Sequence, residues 1–514
     1  MEKILKYVAE KKNGSKIFLL IFFVSYLNLF AQAITKGPYL AEPKNNSIIV
    51  RWESDVEQPF VIKYGNTIKL SNEIIAQMVD TSNSRYLYEG KIENLVPNKK
   101  YFYQVVADTL KSNVKPFKCN ITKDKPLTFV VTGDSRSNAK IFNEISEGIK
   151  NKNPDLIISV GDIVRNGGNY KQWDEYFFNV AGKLIDHIPF LPSVGDHEAS
   201  KGGGDEGKLF TYFYMPHKNY KKLWYSYDYG NAHFVVLDYR YPESKEMIEW
   251  FKKDMSNSHS EWNFVYMHRP SYNLGGHCSA WGREIWPKLF SKYNIDIVFA
   301  GHSHLYERFY PVIPNNEPEA HAVTYITSGG SGAYLYKTGK SHLLAFAKSV
   351  YHYIVVKLNN DQIELTVYKK DGSILDKVSW EKNSESFNAL VKSQNELDIV
   401  GMFMNNTSKQ IKRLPMREIP ATMQLKLKTV FCNDAVTFKI SLAEESQKTY
   451  EMEEVKDTVS KSETKIVTVK IFAKGDMTVS KWGEITPELR LKVEYSSKNF
   501  KGTVISKAIE YEAY

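Results

Sequence analysis

Five short polar clusters punctuate the middle of this 514-residue chain, each following an apolar stretch. Gly133-Asp134 follows Leu127–Thr132, Gly161-Asp162 follows Leu156–Val160, and Gly195-Asp196-His197-Glu198 follows Leu191–Val194. His268-Arg269-Pro270 follows Phe264–Met267, and Gly301-His302-Ser303-His304 follows Ile295–Ala300. Asp134, Asp162 and Asp196 with His268, His302 and His304 make an oxygen and nitrogen donor set, without cysteine, suited to Zn, Mn or Fe. Six donors are too many for one tetrahedral ion, yet they fit two ions if one carboxylate bridges. Two ions about 3.5–4 Å apart clamp the attacking and leaving oxygens of a displaced phosphoryl group and acidify a bound water. Each cluster alone has a plainer reading, as a turn or a surface histidine. Their shared order and their place after apolar runs carry the inference.

The apolar runs read as buried strands, and amphipathic stretches such as Asn138–Lys152 and Lys245–Met255 read as helices between them. That alternation predicts an α/β layered domain over residues 126–380. Ligands of open α/β sheets bind outside the carboxyl ends of the strands, where all five clusters fall. The glycines heading four of the clusters are expected to turn the backbone sharply so that the next side chain points inward. Residues 34–125 instead show period two, as in Ser47–Trp52 and Phe60–Gly65. With Leu95-Val96-Pro97 ahead of Tyr101, they resemble a fibronectin type III-like sandwich with a tyrosine corner. Residues 381–514 alternate again (Val436-Phe438-Ile440-Leu442, Leu489-Leu491-Val493-Tyr495) and predict a second β-rich domain of unknown role, with Ala443–Lys465 as a loop.

With those residues in view, the chain resembles the calcineurin-like metallophosphoesterases, and within them the purple acid phosphatase branch. His268-Arg269-Pro270-Ser271-Tyr272 and Gly301 to Arg308 follow that branch's His-Arg-Pro-x-Tyr and Gly-His-x-His-x-Tyr-Glu-Arg patterns. The resemblance covers roughly Lys36 to Trp380 and implies a four-layer αββα sandwich flanked by the two β regions. It implies one metal at Asp134, Asp162 and His304 and a second at Asp196, His268 and His302, with Asp162 bridging. The cofactors implied are two divalent ions (Fe, Mn or Zn). His197 and His277 match positions that contact the phosphate or protonate the leaving group; Arg165 and Arg269 are further candidates for substrate contact. The implied activity is hydrolysis of small phosphomonoesters by in-line attack of a metal-bound hydroxide. Alternatives are a phosphodiesterase, nucleotide or pyrophosphate hydrolase of the same family, or a non-catalytic surface-binding protein. The last should have lost ligands, whereas every metal-ligand position here carries a competent donor.

Composition bounds the rest. Hydrophobic residues at 42% and charged residues at 25% describe a folded globular protein rather than a disordered one. The net charge of +9 is spread thinly, without a basic run that would argue for nucleic acid. Three cysteines cannot build a disulfide framework. Residues 1–16 are lysine-rich, Ile17–Phe30 is almost wholly apolar, and Ala31-Gln32-Ala33 follows. That order predicts a signal peptide cut after Ala33, a secreted or periplasmic protein, and no integral membrane segment once it is removed.

Two positions depart from the purple pattern. Arg165 stands where the tyrosinate that binds trivalent iron would be, and Asp196 stands where asparagine is usual. An extra carboxylate lowers the net charge of the metal shell and makes a bound water less acidic. Metal-reconstituted protein is therefore expected to lack a strong tyrosinate-to-iron visible band and to show its activity maximum above the acidic range. A strong band, or a maximum near pH 5 with intact metals, would contradict this.

Overall fold

The computed structural model describes residues 33–512, apart from 109, 200–203, 315–316, 318, 383, 385–386, 388–390 and 430–431. The expected signal peptide lies almost wholly outside the described residues. Among those described, no helix is long and apolar enough to cross a membrane.

The site is carried by two sheets. One has six strands in the order Phe190–Pro192, Leu156–Ser159, Leu127–Thr132, His352–Asn359, Gln362–Lys369, Ile374–Glu381, the first three parallel. The other has seven, with Ala232–Val236, Trp262–Met267, Ile297–Ala300 and Thr324–Ser328 running parallel at its centre. Side chains alternate faces along a strand, and both faces here are apolar because both are covered. Phe129 and Val131 turn inward, where the Phe129 ring meets Phe264 and Phe234 of the other sheet edge-on at 5.1 and 5.2 Å. Val130, one residue away, belongs with Ile141, Phe142, Ile145 and Ile149 on the outer helix Ala139–Lys150. Asn138 caps that helix by accepting from the Ile141 N–H at 3.2 Å. On the opposite side Val265 and Met267 face out towards the helix Lys245–Asn257 and its Phe251, which packs on Trp286.

Ahead of these lies a pair of antiparallel sheets around Trp52, which stacks on Tyr88 at 5.8 Å and meets Phe60 edge-on at 5.4 Å. The Tyr101 hydroxyl accepts from the Val96 N–H at 2.9 Å, tying the chain just before Pro97 to the strand Lys100–Ala107.

The C-terminal region differs from expectation in two ways. Ala443–Lys465 is not a loop: it holds a helical turn Glu444–Gln447 and the strands Tyr450–Met452 and Val455–Val459. Its charged residues sit on exposed faces of edge strands, so composition imitates a loop. The region also contains a helix, Gln394–Asn406, whose buried Asn395, Glu396 and Asp398 break the apolar periodicity that would reveal it. Pairing crosses the expected boundary near residue 380: Lys340–Ser341 joins Lys501–Ile505, and Val312–Ile313 joins Lys392–Ser393.

His233, on the strand Ala232–Val236, bridges Asp228 (Nδ1–Oδ1 2.8 Å) and Asp254 (Nε2–Oδ2 2.9 Å). Burial pulls its pKa down, but the two carboxylates outweigh burial and raise it to about 9. The folded value exceeds the unfolded value of about 6.5, so this contribution is complete below about pH 6.5 and disappears as pH rises through 9. Thermal denaturation should show stability falling across that window by about 2–3 kcal/mol. His233→Gln should flatten the fall; an unchanged slope in the variant would contradict the assignment.

Candidate metal centre

The carboxyl ends of the parallel strands meet at one edge of the two sheets. Gly301 N–H donates to the His268 carbonyl at 2.8 Å, and the His268 imidazole, through Nδ1, bonds the Val160 carbonyl oxygen at 2.9 Å. One sheet is thereby pinned to the other.

At three of the clusters the sharp turn lies in the donor residue itself. Asp134, Asp162 and His302 have φ of +55°, +55° and +67°, a region that L side chains avoid. Each is held there by its own N–H: Asp134 to the Gly161 carbonyl at 3.0 Å, Asp162 to Glu198 Oε2 at 2.9 Å, His302 to Asp134 Oδ2 at 2.9 Å. This corrects the expected role of the glycines. Of the four, Gly161 alone has a positive φ, at +92°, and the others serve close approach. A Cβ on Gly195 would stand 2.2 Å from the Asp162 nitrogen.

The six donors fall into two triads, Asp134, Asp162 and His304, and Asp196, His268 and His302, within each of which the donor atoms lie within 4.8 Å of one another. Asp162 Oδ1 also lies 3.4 Å from His268 Nε2, so this carboxylate touches both groups. The ring nitrogens are already oriented. His304 uses Nδ1 on the Tyr334 carbonyl at 2.6 Å, leaving Nε2 for the triad, 3.4 Å from Asp134 Oδ1. His302 presents Nδ1, 3.1 Å from Asp196 Oδ2. Asp134 Oδ1 and His268 Nε2 are fully buried and lack a hydrogen-bond partner. Buried polar atoms are rarely left so, and a cation at each triad satisfies them. The donor set therefore fits two metal ions.

The electrostatics agree. Burial alone would raise Asp162, but the His268, His197 and Arg136 charges outweigh it and hold the carboxyl below its usual range. Burial likewise opposes ionisation of Asp196, and the bonds from His302 and Arg269 with the His268 charge overcome it. Burial would lower His268, yet Asp162, Asp196 and Asp134 raise it to about 9. Asp162 and Asp196 are thus held ionised, the state in which a carboxylate can ligate a metal ion.

The other expected residues are placed less evenly. His197 is half-buried beside the first triad, its Nε2 3.9 Å from Asp162 Oδ2 and its Nδ1 on the Arg165 carbonyl. His277 stands at a loop tip against the second triad, its ring 5.0 Å from that of His302 and its Nε2 2.8 Å from the Tyr336 hydroxyl. Desolvation by its neighbours, then the charges of His302, His304 and Lys507, push it down to about 4, although one ring edge meets solvent. Arg269 grips Asp196 (Nε–Oδ1 3.1 Å, Nη2–Oδ2 2.8 Å) and faces the mouth of the site. Arg165 is exposed and its guanidinium interacts with Tyr176; what it gives the site is its carbonyl oxygen.

Four residues carry roles that the sequence reading did not assign. Arg136, two residues past Asp134, bonds Asp162 Oδ2 at 3.0 Å and lies 3.2 Å from His304 Nε2. Tyr336 stacks on His304 at 4.2 Å while holding His277. Glu198 and Glu307 are buried carboxylates that accept from backbone. Glu198 takes the N–H groups of Asp162, Ile163, Val164 and Gly195 at 2.8–3.1 Å. Glu307 takes those of Leu274 and Gly275 and the Asn273 amide at 2.7–3.0 Å, bracing the loop that carries His277. Both sit inside motifs that the sequence displayed, but a glutamate's role as a backbone acceptor has no spacing signature.

A cavity of about 690 Å³ opens beside His302 and His277 and runs along Arg269 and Trp281 towards the C-terminal region.

Residues 127–306 match the family model of the calcineurin-like phosphoesterases, a span that contains all six donors with His197 and His277. Probable inactive purple acid phosphatase 27 of Arabidopsis thaliana is 26% identical over 317 residues, covering 51% of this chain and 51% of that protein. The phosphoenolpyruvate phosphatase of Allium cepa is 25% identical over 377 residues, 64% of this chain and 76% of that one. A purple acid phosphatase from seeds of yellow lupin (Lupinus luteus) superposes with a TM-score of 0.59 at 20% identity, over 70% of this chain and 75% of its own, a likeness of fold. The chain spans about half the length of the first curated relatives it matches.

Replacing Glu198 by Gln would set an amide N–H₂ against backbone N–H groups that now share a carboxylate. The variant is expected to lose about 2–4 kcal/mol in urea unfolding and to retain less metal after dialysis. Wild-type stability with full metal content would remove Glu198 from the account.

Proposed function

We propose, starting from the calcineurin-like phosphoesterase domain that residues 127–306 form, that this chain is a binuclear metal-dependent phosphoesterase acting on phosphomonoesters. The observation that carries the reading is the pair of donor triads joined through Asp162. Some similar plant proteins are named as probably inactive, but here all six donor positions hold competent ligands in reach of one another. The strand order of the two sheets and the helices outside them support the four-layer αββα arrangement for this domain. Export, on this proposal, follows from the sequence of residues 1–33.

Asp134, Asp162 and His304 would hold one ion, and Asp196, His268, His302 and a shared Asp162 the other. Bound there, two divalent ions supply an acidified water and charge for the phosphoryl oxygens. The chain does the remaining work. The Val160 and Tyr334 carbonyls fix the rings of His268 and His304 through Nδ1, so that each imidazole turns its Nε2 to the site. Arg269, held by Asp196, lines the cavity and would offer its remaining guanidinium donors to an entering phosphate. His197 stands beside Asp162 and His277 beside His302, and we assign protonation of the leaving oxygen to this pair.

Two experiments test the reading. Elemental analysis of metal-loaded protein should give two ions per chain, and Asp134→Asn or His304→Ala should lower both the metal content and the hydrolysis of p-nitrophenyl phosphate. Of His197→Ala and His277→Ala, the one that removes the acid should lose about 10²-fold on alkyl phosphates and far less on p-nitrophenyl phosphate, whose leaving group departs without a proton. Full activity in metal-free protein, or equal losses on both substrates for both variants, would contradict the mechanism.

A further inference from the structure

We infer that the C-terminal region forms the leaving-group wall of the active site, where Lys426 and Lys428 bind a second phosphoryl group of the substrate. The inference rests on the phosphoesterase reading and directs it to compounds with two phosphoryl groups: a sugar bisphosphate among monoesters, or a pyrophosphate under the alternative activity of the same site.

The cavity beside His302 and His277 is closed on its far side by Asn405 and Asn406, at the end of the helix Gln394–Asn406, and by the strand Ala421–Lys428. At about 690 Å³ it is far larger than one phosphate needs and lies within the range of pockets that enclose whole small molecules. Along the strand Met423, Leu425 and Leu427 are buried, so Lys426 and Lys428 share the opposite face. Among the described residues neither ammonium is paired with a carboxylate, whereas the charges of the cavity's arginines are balanced, Arg269 by Asp196 and Arg283 by Asp398 at 3.5 Å. Glu243 and Glu284 also line the cavity, on the catalytic side, and repel an anion placed there; Asp398, on the C-terminal side, is balanced by Arg283. The C-terminal wall is then the favoured place for a second anionic group.

That wall is fixed relative to the metal centre. Lys507 Nζ donates to the Gly276 carbonyl at 2.7 Å, one residue from His277. Gly401 lies so close to Arg283 that a Cβ would stand 2.3 Å from Nη1. The Gln394 amide donates to the Arg283 carbonyl at 3.5 Å. Lys337, whose carbonyl accepts from Gly276 N–H, pairs with Glu488 at 2.7 Å. The loops that carry His277 and Tyr336 are thus held by the same region that presents the lysines.

The test compares kcat/KM of the metal-loaded protein and its Lys426→Ala/Lys428→Ala variant on p-nitrophenyl phosphate, inorganic pyrophosphate and fructose 1,6-bisphosphate. Loss of the lysines should raise KM about tenfold for at least one of the two-phosphoryl substrates. Hydrolysis of p-nitrophenyl phosphate should stay within about twofold, which also shows that the variant is folded. Lys→Arg at both positions should restore the KM, and high salt should erase the difference between wild type and variant. Unchanged KM values, or an equal loss on all three substrates, would overturn the inference while leaving the phosphoesterase reading intact. No hydrolysis of any substrate by the wild-type holoprotein would overturn both.

Discussion

Crowding of charge at the strand ends is the constraint on which the remainder of the structure depends. Three carboxylates and three imidazoles share one pocket; Asp134, Asp162, His268 and His304 are buried in it, and their donor atoms are only a few ångströms apart. Such an arrangement is unfavourable on its own, because each carboxylate is deprived of water and faces others of like charge. It persists because the surrounding backbone leaves no alternative. Three donors are held in left-handed conformations by their own N–H groups, and two buried glutamates gather the loops that carry Asp162, Asp196 and His277. The rigid double sheet sets where those loops begin.

The same constraint bears on how the C-terminal region meets the donor cluster. A donor cluster at the edge of two sheets is open to solvent on the side away from the core. Here that side is bounded by the loop Pro270–Arg283 and, behind it, by the C-terminal helix and strands. Pairing of Lys340–Ser341 with Lys501–Ile505 and of Val312–Ile313 with Lys392–Ser393 ties the C-terminal region to the segments that follow the seven-stranded sheet's donor strands.

Much of this could be read from the residues. Apolar runs ending in a polar donor cluster marked five strands of the two sheets, because a strand buried on both faces needs an unbroken apolar stretch and a donor at its end needs a turn. The donors were legible for the same reason: their chemistry is local to a motif. What stayed hidden depends on contacts distant in sequence. Glu198 and Glu307 act through backbone groups of other motifs, and Tyr336 meets His277 from 59 residues away. Lys507 reaches Gly276 across 231 residues. The helix Gln394–Asn406 escaped because it buries polar side chains, and the strands within Ala443–Lys465 escaped because their outward faces are charged. The glycines were noticed for the right positions and the wrong reason, since closeness of packing, more than a turn at the glycine, requires them.

Anomalous diffraction from crystals of the protein loaded with Mn²⁺ tests the central claim most directly. The account predicts two peaks about 3.5–4 Å apart, one against Asp134 and His304, the other against Asp196, His268 and His302, with the Asp162 carboxylate between them. A single peak, or manganese bound anywhere but at these side chains, would contradict it.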